Sequence, residues 1–225
     1  MAIKKIHISR TRTRNMVLCA LFTALITAGA FITIPIPVVP FTMQSTFVLL
    51  AGLILGPWWG GLSALMYLVL GLIGVPIFTQ GGGFGYVLKP TFGYIIGFVV
   101  GAWLTGFLSY RGNKSPGFAR LFPAALAGLL VLYAIGVAYM WTLCNYVIDA
   151  PMSAGKVLTV GFLMTLPGDL VCTVLSVVVV RKLQPILLDK LRTAEPKADG
   201  ARQAVAADVD ASATQDSCDS DSCEQ

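Results

Sequence analysis

Charged residues are scarce in this sequence. Only 12% of its 225 residues are charged, 56% are hydrophobic, and the mean hydropathy is +0.78. A soluble domain usually carries about 25% charged residues. Between Met16 and Val180 the charged residues are Lys89, Arg111, Lys114, Arg120, Asp149, Lys156 and Asp169. Uncharged apolar stretches of about 18 residues or more are typical of membrane spans. The composition therefore excludes an ordinary soluble domain and predicts an all-α integral membrane protein.

Acidic residues are almost absent from the apolar part of the chain. Nine of the eleven lie between Asp189 and Glu224, in a segment without apolar periodicity. Such a segment cannot bury a core, so residues 193–225 are predicted to be a disordered acidic cytoplasmic tail. Residues 1–15 form a basic cytoplasmic N-terminus, and residues 16–192 form the membrane domain.

The groups that most enzymes need are also missing from the predicted spans. The only histidine, His7, lies in the basic N-terminus, and the only acid within a span is Asp169. Paired carboxylates, a Ser-His pair or a metal-ligand cluster are therefore not available there. The glycine run 81–85 is not followed by the GK[ST] of a P-loop. The sequence predicts no enzyme, no metal, no cofactor and no ATP hydrolysis by this chain itself.

Charges and Gly/Pro breaks divide the apolar part into six predicted transmembrane helices. These are residues 16–34, 44–56, 60–75, 91–109, 119–143 and 157–181. An even number places both termini on one side. If that side is cytoplasmic, the inner segments hold 14 of the 16 Lys and Arg residues, and the outer loops hold Lys89 and Lys156. This sorting follows the positive-inside rule. Because the basic residues lie at span ends, the net charge of +5 does not indicate nucleic-acid binding.

Three irregular segments are predicted on the outer side. They are the proline hinge 34–43, the glycine-rich loop 78–90 and residues 143–169. Backbone without helical hydrogen bonds is tolerated at membrane depth only where protein or a water-filled cavity surrounds it. We therefore expect the three to meet around one pocket. Pro167 predicts a break in the last span, with a short helix before it and a final helix that starts at Pro167.

Three polar residues beside this predicted pocket are candidate ligand contacts. A charge inside a membrane is costly and usually marks a function, which points to Asp169 and Lys89. Asp169 also suits the cap of the last helix, and Lys89 suits a lysine at the membrane interface. Gln44 suits either a ligand contact or a hydrogen bond between helices.

Alanines recur every four residues on the first helix, at Ala20, Ala24 and Ala28. Small residues at this spacing allow close approach of another helix. The pattern alone leaves open whether that helix belongs to this chain or to a partner.

Several motifs together resemble the BioY family, the biotin-binding S components of energy-coupling factor (ECF) transporters. The matching stretches are VPFTMQ at 39–44, LAGLILGP at 50–57, GLIGVPIF at 71–78, PTFGYIIG at 90–97 and LPGD at 166–169. They occur in the expected order between residues 16 and 192. The resemblance implies a six-helix bundle in the bacterial cytoplasmic membrane that captures biotin from outside. It also implies a transmembrane T component, packed on Ala20, Ala24 and Ala28, and two ATP-binding-cassette ATPases.

Two positions depart from the family pattern. Cys172 stands where the family usually has a lysine, and Lys89 stands where it often has a glycine. We therefore expect Lys89 to bind the biotin carboxylate and Asp169 to accept from the ureido N–H groups. The other predicted contacts are Gln44, Gly82, Gly83, Phe84 and Tyr86, of which the two aromatic rings would cover the bicycle.

Other functions remain open at this stage. The alternatives are an S component for another small vitamin, a stand-alone carrier of small solutes and a structural scaffold in the lipid. The sequence also leaves a homo-oligomer open. An intramembrane enzyme is the least favoured, because the catalytic residue types are missing.

Overall fold

The computed structural model describes residues 2–34, 40–110, 117–148 and 152–183, with side chains from residue 13 onward. The predicted tail and the centre of the proline hinge lie outside the described residues. The helices are α1 (Ala2–Phe31), α2 (Gln44–Ile73), α3 (Phe92–Tyr110), α4 (Phe118–Tyr146), α5 (Ala154–Leu158) and α6 (residues 166–183). Two strands, β1 (Thr33–Ile34) and β2 (Phe41–Thr42), pair antiparallel across the proline hinge.

Five helical stretches in the described part of the chain are long and apolar enough to cross a membrane. They are Thr13–Phe31, Gln44–Ile73, Phe92–Tyr110, Phe118–Tyr146 and Ala154–Leu183. The prediction of a helical protein with several membrane spans is therefore confirmed. The sequence predicted six spans rather than five, because two of the predicted spans, 44–56 and 60–75, fall within α2.

The helix α2 consists of two arms that fold back on each other at Gly56. Gly56 has φ +80° and ψ −175°, a backbone conformation that residues with a side chain rarely adopt. Beyond the turn, the backbone of Gly60 lies so close to Ala51 and Gly52 that a Cβ atom there would clash with both. The side chains of Gln44 and Tyr67 are also hydrogen-bonded. In a straight helix these two residues would lie about 35 Å apart, so the arms are antiparallel.

The last span contains the predicted irregularity, but earlier than expected. A π-helical turn, Thr159–Leu163, follows α5, and α6 begins at residue 166, one residue before Pro167. Proline lacks the N–H that would bond four residues back, and its ring crowds that carbonyl group. The wider turn before Pro167 is a common adjustment to such a disturbance in a helix.

Small residues allow the helices to pack closely, and they place the irregular segments at one end of the membrane unit, Met1–Arg181. Between α3 and α4, Gly93 lies against Tyr139, Gly97 against Leu132, and Gly101 against Gly128, which is an antiparallel register. The helices α2 and α3 are also packed together, as are α1 and α2. The β1–β2 pair, the loop that follows α2 and the segment after α4 therefore lie at the same end of the bundle. The turn at Gly56 lies at the opposite end.

Candidate functional site

A narrow cavity lies at the loop end of the bundle and has a volume of about 60 Å³. Its lining combines aliphatic and aromatic side chains with many hydroxyl groups, one amide and one carboxyl group. The lining residues are Pro40, Phe41, Thr42, Gln44, Ser45, Thr79, Tyr86, Thr91, Tyr94, Ile95, Phe98, Leu132, Tyr133, Thr165 and Asp169. None of these residues is basic. The cavity therefore offers hydrogen-bond acceptors and hydroxyl donors within an apolar frame.

Asp169 is the charged group of this cavity and is 6% exposed. It lies in the first turn of α6, where an acidic side chain is favoured by the helix dipole. Its two carboxylate oxygens accept hydrogen bonds from the hydroxyl groups of Ser45, in α2, and Tyr133, in α4. The Tyr133 hydroxyl oxygen also lies 2.9 Å from Thr165 Oγ1. These bonds to other helices hold Asp169 towards the cavity, which is more than a helix cap requires.

Close packing beside Asp169 explains the glycine of its Pro-Gly-Asp motif. A Cβ atom on Gly168 would lie 2.5 Å from the ring of Phe41. Phe41 belongs to β2, so the proline hinge is seated directly on the start of α6. Any side chain at position 168 would push this cavity wall outward.

Gln44 is held by a chain of hydrogen bonds that ends in the loop after α2. Its Nε2 atom donates to the hydroxyl of Tyr67 over 2.5 Å, and that hydroxyl donates to Ile77 O over 3.2 Å. The Thr42 hydroxyl lies 3.4 Å from Gln44 Oε1. With its amide nitrogen engaged, Gln44 presents an acceptor oxygen to the cavity. It is therefore both a bond between the two arms of α2 and a lining group.

Tyr86 is the loop residue that closes the cavity, and Lys89 lies beside its ring, outside the lining. The Tyr86 hydroxyl lies 3.1 Å from Thr79 Oγ1 and accepts from Thr91 Oγ1, also over 3.1 Å. Lys89 Nζ lies 5.1 Å from the centre of the Tyr86 ring and donates to Gln80 O over 3.0 Å. A cation above an aromatic face is a favourable arrangement. Lys89 is thus at the rim of the cavity, and no ion pair joins it to Asp169 among the described residues.

The remaining predicted contacts do not line the cavity. Phe84 is 79% exposed, and Gly82 and Gly83 shape the loop that carries it. Gly83 has φ +99° and donates its N–H to Gly71 O over 2.7 Å, which ties this loop to the end of α2. Cys172 is buried and also lies outside the lining. The structure therefore brings together Gln44, Tyr86 and Asp169, and leaves the other predicted residues around them.

Sequence reasoning missed several polar residues of the site. Ser45, Tyr67 and Tyr133 lie within apolar helices, and Thr91 lies directly before α3. A hydroxyl group can be buried in such surroundings if it bonds to the backbone or to a neighbouring side chain. Their spacing along the sequence shows no link to Asp169. Two of the missed residues could have been found as sequence neighbours of predicted site residues, since Ser45 follows Gln44 and Thr91 follows the Lys89-Pro90 pair.

A second and larger depression lies on the other side of Tyr133. It is a groove of about 600 Å³ between α4 and residues 154–162, and its lining is almost entirely apolar. Tyr133 lines both the cavity and the groove, and the Phe162 ring packs edge-on against it at 5.0 Å. The side chains of Tyr133 and Phe162 thus form the wall between them.

The alanine pattern of α1 lies on the outside of the bundle. Ala20, Ala24 and Ala28 are all exposed, whereas Cys19 and Ile26 are buried against the other helices. The alanine face is therefore not used for packing within the described part of this chain.

Comparisons with known proteins agree with this architecture. The model of the BioY family matches residues 3–189. The chain belongs to the BioY family. It is 41% identical to a probable biotin transporter BioY from Lysinibacillus sphaericus over 77% of this chain and 88% of that protein. It is 35% identical to the biotin transporter BioY from Thermotoga maritima over 79% and 99% of the two chains.

A solved structure has the same fold as this chain. It is the crystal structure of the S component for biotin from an ECF-type ABC transporter, with a TM-score of 0.68 and 28% identity. The similarity covers 78% of this chain and 93% of that one. The BioY family and the described helices together establish a multi-pass membrane protein.

Proposed function

We propose that this chain is the substrate-binding S component of an ECF transporter and that it captures biotin for uptake. The observation that carries the proposal is a buried carboxylate in a cavity between apolar helices of membrane-spanning length, in a chain of the BioY family. Keeping a charge within a membrane costs about 2.5–3.5 kcal/mol on insertion scales. Such a group is retained where a ligand uses it.

The polar groups of the cavity suit the chemistry of biotin. The ureido ring carries two N–H donors, and Asp169 and the Gln44 oxygen are acceptors. A hydrogen bond to a carboxylate is stronger than one between neutral groups. The apolar valeryl chain suits the aliphatic and aromatic part of the lining, such as Ile95 and Phe98.

The cavity must widen before it holds biotin. A water needs about 10–15 Å³ of such volume, so the cavity has room for only a few water molecules. Helices supply the side of the cavity that contains Asp169, whereas Phe41, Thr79 and Tyr86 come from the β-pair and the loop after α2. We infer that the loop-derived side moves outward to admit biotin.

Lys89 is the proposed partner of the biotin carboxylate. No basic residue lines the cavity among the described residues, and Lys89 is at its rim, beside Tyr86. When the Tyr86 side of the cavity opens, the lysine side chain is long enough to exchange Gln80 O for a carboxylate. This residue would replace the basic group that the family usually has at the position of Cys172.

We propose six passes with both termini in the cytoplasm and the cavity open to the outside. The fold-back of α2 at Gly56 supplies the sixth pass. Arg14, Arg120 and Arg181 lie towards the end of the bundle that contains Gly56, while Lys89 and Lys156 belong to the cavity end. This distribution follows the positive-inside rule.

We further propose that the exposed alanine face of α1 packs against a T component, which acts with two ATPases. Ala20→Trp or Ala24→Trp should abolish uptake while biotin affinity is retained, because a large side chain prevents close helix packing. Co-purification with the partner proteins measures this contact. If either variant still co-purifies with them, the alanine face is not the contact.

The direct test of the proposed substrate is purification in mild detergent followed by mass spectrometry of any retained small molecule. Titration with biotin, riboflavin and thiamin then separates biotin from other vitamins. We expect biotin to be retained and to bind the most tightly. Retention of another vitamin, or no binding of any, would contradict the proposal.

A further inference from the structure

The groove between α4 and residues 154–162 has the form of a site for one hydrocarbon chain. Its α4 side contains residues that recur on one helical face. They are Leu130, Tyr133, Ala134, Val137, Ala138 and Trp141. The facing side contains Ala154, Gly155, Val157, Leu158 and Phe162. Nearly every group in this lining is apolar, so the groove suits a ligand without polar atoms in that part.

Small residues keep the groove open along its length. Ala134 and Ala138 lie in the middle of the α4 face, and Gly155 lies opposite, so no large side chain fills the space between the two walls. From Leu130 to Trp141 the α4 face rises by about 16 Å. That is about half of the ~30 Å hydrocarbon thickness of a bilayer, which is the length of an acyl chain in one leaflet.

One end of the groove carries the side chains that belong at the level of lipid headgroups. Trp141 lines this end and packs against Tyr146, with ring centres 6.0 Å apart. Lys156 is exposed and lies between two lining residues, Gly155 and Val157. It is the only charged residue among the described residues from Leu130 to Phe162. Tryptophan, tyrosine and lysine at this depth are typical of the membrane–water interface, and lysine attracts anionic headgroups.

We propose that this groove binds one acyl chain of an anionic phospholipid whose phosphate group pairs with Lys156. The apolar lining holds the chain from Trp141 down to Leu130, and the lysine selects the headgroup. The site does not depend on the proposed substrate, because the Tyr133–Phe162 wall separates it from the cavity.

Quenching of Trp141 by brominated acyl chains tests the site. The variant W58F/W59F/W103F retains Trp141 as its only tryptophan. It is placed in phosphatidylcholine nanodiscs with graded amounts of brominated phosphatidylglycerol or brominated phosphatidylcholine. Thermal unfolding of each variant confirms that it is folded. We expect quenching by brominated phosphatidylglycerol to saturate at a low fraction, because the site prefers it about fivefold over the host lipid. Quenching by brominated phosphatidylcholine should rise in proportion to its fraction, because it competes equally with the unbrominated host lipid.

Two substitutions sharpen the measurement. Ala134→Leu fills the groove and should remove the saturating component of the quenching. Ala119→Leu is the matched control, because Ala119 is also exposed on α4 but lies outside the groove. Lys156→Gln should remove the preference for phosphatidylglycerol and leave the quenching by phosphatidylcholine unchanged. Quenching by brominated phosphatidylglycerol that rises linearly with its fraction and is unchanged by Ala134→Leu would show ordinary surrounding lipid and overturn the proposal.

Two other occupants would also overturn it. Nanodiscs that hold two copies of the chain, with Trp141 shielded from every brominated lipid, would assign the groove to a second copy. Relief of the quenching by biotin at stoichiometric amounts would assign it to the transported ligand. Equal quenching by the two brominated lipids that is nevertheless reduced by Ala134→Leu would disprove the part given to Lys156.

Discussion

The two spaces on either side of Tyr133 differ in almost every property. The cavity measures about 60 Å³ and is lined by a carboxylate, an amide and several hydroxyl groups. The groove measures about 600 Å³ and has an apolar lining. Judged by volume, the groove would be the binding site. Judged by chemistry, the cavity is, because it contains the groups that are hardest to keep inside a membrane.

This contrast shows how to recognise a site in a membrane protein. An apolar space next to lipid has a low free-energy cost, since lipid tails fill it and no hydrogen bond is lost. A buried carboxylate is expensive, and here it requires hydroxyl groups from Ser45 and Tyr133 to remain satisfied. The small polar cavity is therefore the stronger candidate for recognition.

The largest effect is expected from Asp169→Asn. The substitution keeps the size of the side chain but removes the charged acceptor for the ureido N–H groups. We expect biotin affinity to fall at least tenfold, about 1.4 kcal/mol, in a titration by isothermal calorimetry. Ser176→Ala is the control, because Ser176 is also buried in α6 but bonds to Cys172 O and Thr46 O, away from the cavity. Equal affinities for Asp169→Asn and the parent would remove Asp169 from the site.

Lys89→Ala should weaken biotin binding by about tenfold if Lys89 pairs with the carboxylate. Biotin methyl ester, which lacks that charge, separates this role from a structural one. Binding of the ester should be unchanged by the substitution. If both ligands lose the same affinity, Lys89 acts instead by holding the loop through Gln80 O and the Tyr86 ring.

Tyr133→Phe tests the wall itself. The ring remains between the two spaces, but the hydroxyl that bonds to Asp169 is lost. We expect about fivefold weaker biotin binding, ~1 kcal/mol, together with a lower melting temperature. Tyr110→Phe is the control, since its hydroxyl donates to Leu53 O over 2.7 Å, outside both spaces. The control should lower the melting temperature and leave the affinity unchanged.

Part of the candidate site could be anticipated from polar residues that are unusual in an apolar sequence. Asp169 and Gln44 stand out in an apolar sequence, and both line the cavity together with Tyr86. Gly and Pro breaks also located the irregular segments, because these residues change the backbone whatever their surroundings. Lys89 stands out for the same reason as Asp169, yet it lies at the rim, since its flexible side chain is directed by the loop that carries it.

Long-range partners were not predictable from the sequence. Tyr133 is 36 residues from Asp169, and Ser45 is 124 residues away. Their side chains reach the same carboxylate only because three helices pack together. The position of the α2 fold-back is visible in the sequence as Gly56-Pro57, and the two arms were predicted as separate spans for this reason. Their pairing depends on the contact between Gly60 and Gly52, which no local pattern reveals.

The smallest effect is expected from filling the groove. Ala134→Leu adds volume on the far side of the Tyr133 ring, while the cavity is lined by the opposite side of that wall. We expect the biotin dissociation constant to change less than about twofold, because no polar contact of the cavity is altered. The same variant should lose the saturable lipid quenching, which makes it a test of separation in one protein. A much larger loss of biotin affinity would mean that the wall moves and that the two spaces form one site.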